Sequence, residues 1–452
     1  MKALLVLLSV AVVGALVAVL LVLRTPADDG AEVNRVASAS TATPPVSPSA
    51  APVPPAARKS VLLDVEGAVI EEFSGDCANS GHPYLCRYVG RELAAVDPGL
   101  PARSGLTIRT TIDQRLQRAA QRAVDARVHR DDPQVAAQVM IVPGEGAIRA
   151  MVTSSGNGDV PGFQQGTTAM PYTLAAAFAA GLRFDDGLLV SDEYQAPSLS
   201  SFRNCADQQV ADPAHSIVNR ERKGERFVTL RSGTVEAVNT FFMRLEEKAG
   251  LCETVRTAER LGLRRTDGRP LQEFETFTLG INETDPVSVA NTYATLAARG
   301  RFCEPTVITE IRDASGTPRF FPPRCREVLD PAVADAVTAV LSDALAGSVP
   351  QGVGREAAGM PGTSDGYIAA WYAGYTPALA SAVSLGDPRG AFKHALLDVT
   401  VGGRHYERVD GASIPGPIWR ETMTEALRGT PETGFTRPDE GRFGACREAC
   451  PG

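Results

Sequence analysis

The period of the hydrophobic pattern changes several times along the chain. From Ala3 to Leu23 the residues run "ALLVLLSVAVVGALVAVLLVL" without a charge, and about 20 such residues suffice to cross a bilayer as one helix. A cleavable signal would have a shorter apolar region and a small-residue cleavage motif, and neither is evident. Residues 1–24 therefore read as a transmembrane signal anchor, and Lys2 and Arg24 flank it too evenly to set its orientation. Residues 25–59 are rich in Pro, Ala, Ser and Thr, which suits a semi-extended spacer rather than a core. A short cysteine-bearing lead-in follows at 60–105.

From residue 106 the pattern becomes that of a folded domain. "LTIRTTI" (Leu106 to Ile112) alternates like a strand, and "DQRLQRAAQRAVDARV" continues as an amphipathic helix capped by Asp113. "QVMIVPGEGAIRAMVTS" predicts a hairpin around Pro143–Gly146. Helical patterns then dominate from Tyr172 to Gly300, and a further helix is predicted over 330–347. Late strands are predicted at "GYIAAWYAGYTP" and "LASAVSLGDP", with a terminal helix at "IWRETMTEALRG". Strands at both ends of the sequence around a helical middle predict a mixed sheet with an inserted all-helical lobe. That domain is expected over 106–430, and 431–452 forms a Cys-containing tail.

One stretch in the middle raises a chemical question. "PGFQQGTTAMPYTLAAAFAAG" (Pro161 to Gly181) reads as a small-residue turn followed by an apolar helix that Gly181 ends. A threonine at such a start is a good N-cap, and a hydroxyl there is also where acyl-transfer enzymes keep a nucleophile.

Charge and cysteines narrow the setting. The net charge of -8 argues against a nucleic-acid partner, which needs a basic face. The eight cysteines, Cys77, Cys86, Cys205, Cys252, Cys303, Cys325, Cys446 and Cys450, are an even set behind an anchor, which points to disulfides and an oxidising compartment. Proximity along the chain suggests the pairs 77–86, 205–252, 303–325 and 446–450. Only Cys446 and Cys450 are closely spaced and no histidine stands near them, so no metal is expected.

Six blocks in order complete the picture: "LTIRTTIDQRLQRAAQRAV", "VMIVPGEGAIRAMV", "GTTAMPYTLAAAFAAG", "GTVEAVNTFFMRL", "DPVSVANTYATLAARGRFCEPTVI" and "AAGMPGTSDGYIAAWYAGYTP". Together they resemble the transpeptidase domain of penicillin-binding proteins, most of all the transpeptidase part of bifunctional actinobacterial enzymes, over residues 82 to 430. The resemblance implies an α+β, serine β-lactamase-like fold, an antiparallel sheet flanked by helices with an all-helical lobe, and acyl-enzyme chemistry on three motifs, S-x-x-K, S-x-N and K-T-G. Here these align with TTAM, AVN and MPG. Thr167 stands at the nucleophile and Met170 at the general-base lysine. Ala237 replaces the relay serine while Asn239 is kept, and Met360 and Pro361 replace the carboxylate-holding lysine and threonine while Gly362 and Thr363 are kept.

Both lysines have thus become methionine, with similar reach and no proton to exchange. General-base assistance is worth about 10²–10⁴-fold, and losing a nucleophile–base unit costs about 10⁶ in a comparable hydrolase. A charge-assisted hydrogen bond to a carboxylate is worth roughly 1.5–3 kcal/mol, and Met360 cannot make one. No intact catalytic residue is expected; Asn239, Gly362 and Thr363 are the candidates for substrate contact. Each position also has a plainer reading: Thr167 as a helix cap, Met170 and Met360 as apolar fillers, Asn239 as a structural hydrogen bonder, Gly362 and Thr363 as strand geometry.

The expectation is an anchored, single-pass, extracytoplasmic pseudo-transpeptidase of peptidoglycan synthesis, a scaffold or regulator with other cell-wall synthesis proteins or a stem peptide as partner. Two alternatives remain: an active acyl-enzyme using Thr167, and a non-covalent binder of β-lactams or wall peptides. No cofactor is implied.

Overall fold

The computed structural model describes residues 59–349, 351–447 and 450. The expected anchor and all but the last residue of the expected spacer lie outside them. Among the described residues no helix is long and apolar enough to cross a membrane, and no cluster of potential ligands could hold a metal ion.

The two larger sheets use ten strands: β1 (Ser60–Leu63), β2 (Val69–Phe73), β3 (Thr107–Thr110), β4 (Val135–Ile141), β5 (Ile148–Thr153), β6 (Ile308–Arg312), β7 (Pro318–Phe320), β8 (Ala358–Thr363), β9 (Ala369–Thr376) and β10 (Leu379–Gly386). The central sheet is antiparallel in the order β8-β9-β10-β4-β5. It joins the predicted hairpin to the predicted late strands and leaves β8 at one edge. A second sheet has the order β7-β6-β3-β1-β2, with β1 and β3 parallel.

The helices around them are α1 (Pro83–Val96), α2 (Gln114–Asp125), α3 (Met170–Ala179), α4 (Leu230–Val235), α5 (Asn239–Ala249), α6 (Leu251–Leu261), α7 (Pro286–Ala297), α8 (Pro331–Ser348) and α9 (Pro415–Ala426). Asp113 caps α2 as expected, accepting from the Arg115 and Leu116 N–H groups. The end of α3 follows expectation too: the Gly181 and Leu182 N–H groups bond the Phe178 and Ala177 carbonyls, satisfying carbonyls that the helix itself leaves free.

Strand alternation divides the interior in two. On β9, Ala369, Trp371, Ala373 and Tyr375 face one core, while Ala370 and Tyr372 face the other. Helices α7 and α8 pack on the sheet on the first side, and α2 and α9 on the second. Such a strand is apolar on both faces, which is why its sequence reads as a nearly continuous apolar run. Helix α3 is buried along nearly its whole circumference, as expected of a helix without a polar face. It packs against α5, α6 and α8 to form the helical lobe.

The structure corrects the reading of 187–229 as part of a helical middle. That stretch holds two short ribbons, Gly187–Val190 with Arg226–Thr229 and Glu193–Gln195 with Ser216–Val218. Pro197, Pro213 and Gly224 interrupt any helical run there. The lead-in also carries more structure than its sequence suggested. β1 lies beside β3, and Tyr84, Leu85, Val89 and Leu93 of α1 join the first core. In the tail, Phe443 is fully buried and sits edge-on to Phe178 at 5.3 Å. All four disulfides pair as proximity suggested: Cys77–Cys86, Cys205–Cys252, Cys303–Cys325 and Cys446–Cys450.

Glu92 ties α1 to the start of β6. Its carboxyl accepts from the Val307 N–H at 3.0 Å and the Ile308 N–H at 3.1 Å. Burial nevertheless pushes it up to about 7, against the pull of those donors. A carboxyl raised on folding contributes stability that is complete below its unfolded value and is lost as pH rises through the folded one. Urea unfolding of the chain should therefore show stability falling between pH 4.5 and 7, by at most about 3 kcal/mol from this group. Glu92→Gln should flatten that slope; an unchanged slope in the variant would refute the assignment.

Candidate functional site

The helix start that raised the chemical question is not capped by its threonines. Gly166–Ala169 form a 3₁₀ turn leading into α3, and neither that turn nor α3 has a side-chain cap. The Thr168 hydroxyl donates backwards to the Gln165 carbonyl at 2.8 Å. The Thr167 hydroxyl leaves its own helix and donates to the Pro361 carbonyl on β8 at 2.9 Å. The cap reading of Thr167 is thereby corrected: the turn enters with Gly166 at φ +59°, and the hydroxyl acts as a donor where a cap must accept.

Backbone contact explains two glycines at the crossing, Gly362 and Gly166. A Cβ on Gly362 would lie 2.4 Å from the Gln165 carbonyl oxygen and 2.8 Å from the Thr168 methyl. One on Gly166 would lie 2.5 Å from the Thr363 carbonyl carbon. Edge strand and helix start therefore cross in direct contact, and only glycine fits the crossing. Pro361 also finds its reason here. It pairs with Tyr372 on β9, and because its carbonyl goes to Thr167, its backbone polar groups turn to the unpaired side, where a missing N–H breaks no ladder bond.

The two methionines close the interior side. Met170 is fully buried and Met360 is 1% exposed, both in the first core. The polar groups hydrogen-bonded around the turn are Gln165, Thr168, Tyr172, Thr292 and Tyr293. The Tyr172 hydroxyl bonds Gln165 Oε1 at 3.2 Å and Thr292 Oγ1 at 3.0 Å, and the Tyr293 hydroxyl donates to the Thr168 carbonyl at 3.0 Å. None of them is a base at neutral pH, since burial pushes the hydroxyls of Tyr172 and Tyr293 upward.

A carboxyl does stand behind α3. Glu246 is fully buried, and burial raises it far above the usual carboxylate range. Its hydrogen-bond chain runs through the Thr278 N–H, and Thr278 Oγ1 in turn accepts from the Thr173 hydroxyl at 2.7 Å. The chain ends there. Among the described residues, no lysine, histidine or carboxylate is hydrogen-bonded to the Thr167 hydroxyl.

The second motif stands apart. Ala237 sits at φ +48°, and Asn239 opens α5 with its amide donating to the Val218 carbonyl at 3.1 Å, which matches the structural reading of that side chain. It joins the edge strand through residues that the sequence did not single out. Arg220 donates to Asp410 at 2.5 Å and stacks over the Tyr367 ring at 5.5 Å, and the Gly411 N–H donates to the Thr363 hydroxyl at 3.2 Å. The helical lobe and the sheet edge are thus tied together across the motif positions. Nothing in "NRERKGERF" or "RVDGAS" signals such a bridge, because its members lie 190 residues apart and only folding brings them together.

This architecture, a two-faced antiparallel sheet whose edge strand meets the start of a buried helix from a mainly helical lobe, is the penicillin-binding transpeptidase fold. The penicillin-binding protein PonA1 from Mycobacterium tuberculosis superposes with a TM-score of 0.66 at 26% identity, covering 82% of this chain and 99% of that one. Penicillin-binding protein A from M. tuberculosis shares the fold at 18% identity with a TM-score of 0.58. No family model matches the chain. In sequence it is similar to penicillin-binding protein 1A of M. tuberculosis, 29% identical over 377 residues that make up 77% of this chain and 43% of that protein. It is also similar to penicillin-binding protein 2D of Bacillus subtilis, 25% identical over 354 residues, 74% of this chain and 47% of that protein. The chain spans less than half the length of these relatives.

Restoring the lysine is expected to fail. Met170→Lys places an ammonium in a buried position with no anionic partner at the turn, and an uncompensated buried charge costs about 3–5 kcal/mol. Desolvation lowers the pKa of such a lysine, so the folded state binds fewer protons than the unfolded one and stability returns as pH rises towards 10. Met170→Leu should cost less than about 1.5 kcal/mol at any pH. Urea unfolding at neutral and alkaline pH reads both, and a Met170→Lys variant as stable as the parent at pH 7 would reveal an anionic partner.

Proposed function

We propose that this chain is a membrane-anchored pseudo-transpeptidase that works outside the cytoplasm in peptidoglycan synthesis, binding a partner protein or a wall peptide without covalent turnover. The observation that carries this reading is the bond from the Thr167 hydroxyl to the Pro361 carbonyl. It occupies the hydroxyl that aligns with the nucleophile, while the position a turn further on is a buried thioether. An alcohol at neutral pH needs a neighbouring base to attack a carbonyl, and the groups bonded around this turn are neutral.

The anchor, the extracytoplasmic setting and the scaffold role rest on the sequence reading: the uncharged run from Ala3 to Leu23, the paired cysteines and the similarity to penicillin-binding proteins. The four disulfides are in keeping with an oxidising compartment. Asn239, Gly362 and Thr363 enter as parts of the framework, since each is engaged within the chain.

The test is exposure of the full-length chain to a fluorescent penicillin, followed by intact-mass measurement after long incubation with several β-lactams. The expected outcome is an unlabelled protein of unchanged mass, with folding confirmed by a cooperative melt. A stoichiometric adduct on Thr167 would overturn the proposal and establish the threonine acyl-enzyme. A reproducible thermal shift with unchanged mass would favour non-covalent binding of the drug.

A further inference from the structure

A cleft of about 690 Å³ opens between α1, the loop at Gly75–Cys77 and the loop at 155–161. Neither Thr167 nor Asn239 nor Met360 lines it. Its volume lies within the range of small-ligand sites, roughly 300–1,000 Å³. Gly90 of α1 opens its floor, since a Cβ there would meet nothing within 4 Å.

Some polar groups on its wall are already used. Asp76 accepts from the Ser74 hydroxyl and the Ala78 N–H of its own loop, and Arg87 pairs with Asp159 at 3.4 Å and donates to the Asn157 carbonyl. Three others keep capacity to spare. Tyr84 is 4% exposed, and its hydroxyl has no hydrogen bond among the described residues. Arg91 stacks on Tyr88 at 5.3 Å and has no ion pair among them. Asp285 spends one carboxylate oxygen capping α7 at the Ser288 N–H. All three line the same cleft; burial raises both the Tyr84 hydroxyl and the Asp285 carboxyl, Asp285 adds to the first and Arg91 opposes both.

The Tyr84 hydroxyl is not one of the sealed unpartnered atoms of the core; it opens to the cleft, where a ligand can bond it. Beside it stand an unpaired cation and an anion with a remaining oxygen, a donor and an acceptor held apart on one wall. We propose that this cleft is a second ligand site, separate from the Thr167 turn, for a short peptide with both termini charged. Its carboxylate meets Arg91, its ammonium meets Asp285, and an amide between them satisfies the Tyr84 hydroxyl. The site goes beyond the pseudo-transpeptidase reading and does not depend on it.

Calorimetric titration of the full-length chain with tri-alanine tests this, beside N-acetylated and C-amidated tri-alanine. Tri-alanine should bind, and each blocking group should weaken binding about tenfold or more, as loss of a charge-assisted bond implies. Arg91→Ala should erase the preference for the free carboxylate, and Asp285→Asn, which keeps a capping side chain, the preference for the free amine. Tyr84→Phe should weaken binding without lowering the melting temperature, because it removes no internal bond. No heat with tri-alanine up to about 10 mM, a concentration covering even weak millimolar affinities, would overturn the proposal. So would an affinity unchanged by both Arg91→Ala and Asp285→Asn.

Discussion

The arrangement of the motif region depends on one close crossing, β8 against the Gly166–Ala169 turn. Gly362 and Gly166 let the two backbones touch, and the touch puts the Pro361 carbonyl 2.9 Å from the Thr167 hydroxyl. Everything else at the site accommodates that contact. Proline is tolerated because its backbone faces the unpaired edge, and the Thr363 hydroxyl is taken by Gly411. A strand edge whose outward carbonyl already has a donor is poorly placed to pair with an incoming peptide. Occupation of the edge and the absence, among the described residues, of a base bonded to the Thr167 hydroxyl are thus both features of this crossing.

The methionines lie at the same crossing, Met360 on β8 and Met170 at the start of α3. A lysine at position 170 or 360 would need a partner to hold its charge in a dry interior, and the groups around the turn are amides, hydroxyls and backbone carbonyls. In this setting a thioether is the side chain of matching length that leaves nothing unsatisfied. The region around the Thr167 turn is packed as core, with its hydroxyl and edge carbonyl engaged with one another. The buried Glu246 supports that view: a neutral acid sealed behind α3 is a structural group, and its hydrogen-bond chain stops at Thr173.

Much of this was legible in the sequence because the signals were local or periodic. The Asp113 cap, the hairpin around Pro143–Gly146 and the Gly181 helix end each depend on a few adjacent residues. The two-faced strand at 369–376 announced itself as an apolar run. What escaped was either short or non-local. The ribbons between 187 and 229 have strands of three or four residues, too short for a period to register, and Pro197 and Pro213 spoke against helix without saying what replaced it. The donor role of Thr167 depends on where β8 passes, almost two hundred residues later in the chain. Arg220, Asp410 and Tyr367 carry no motif, since their meaning lies in a bridge between two loops.

Where a folded protein retains unused hydrogen-bonding capacity is a guide to where it meets other molecules, because buried polar groups are otherwise paired. At the Thr167 turn hydroxyl and carbonyl satisfy one another, and the Arg220–Asp410 bridge ties the lobe to the sheet edge. Some orphaned atoms, such as the Trp371 indole nitrogen and Glu246 Oε1, are sealed in the core where no solute reaches them. The cleft beside α1 differs in both respects: Tyr84 is buried within its wall, and the cleft has room for a ligand. Unused hydrogen-bonding capacity that a solute can reach thus lies in this cleft, away from the Thr167 turn.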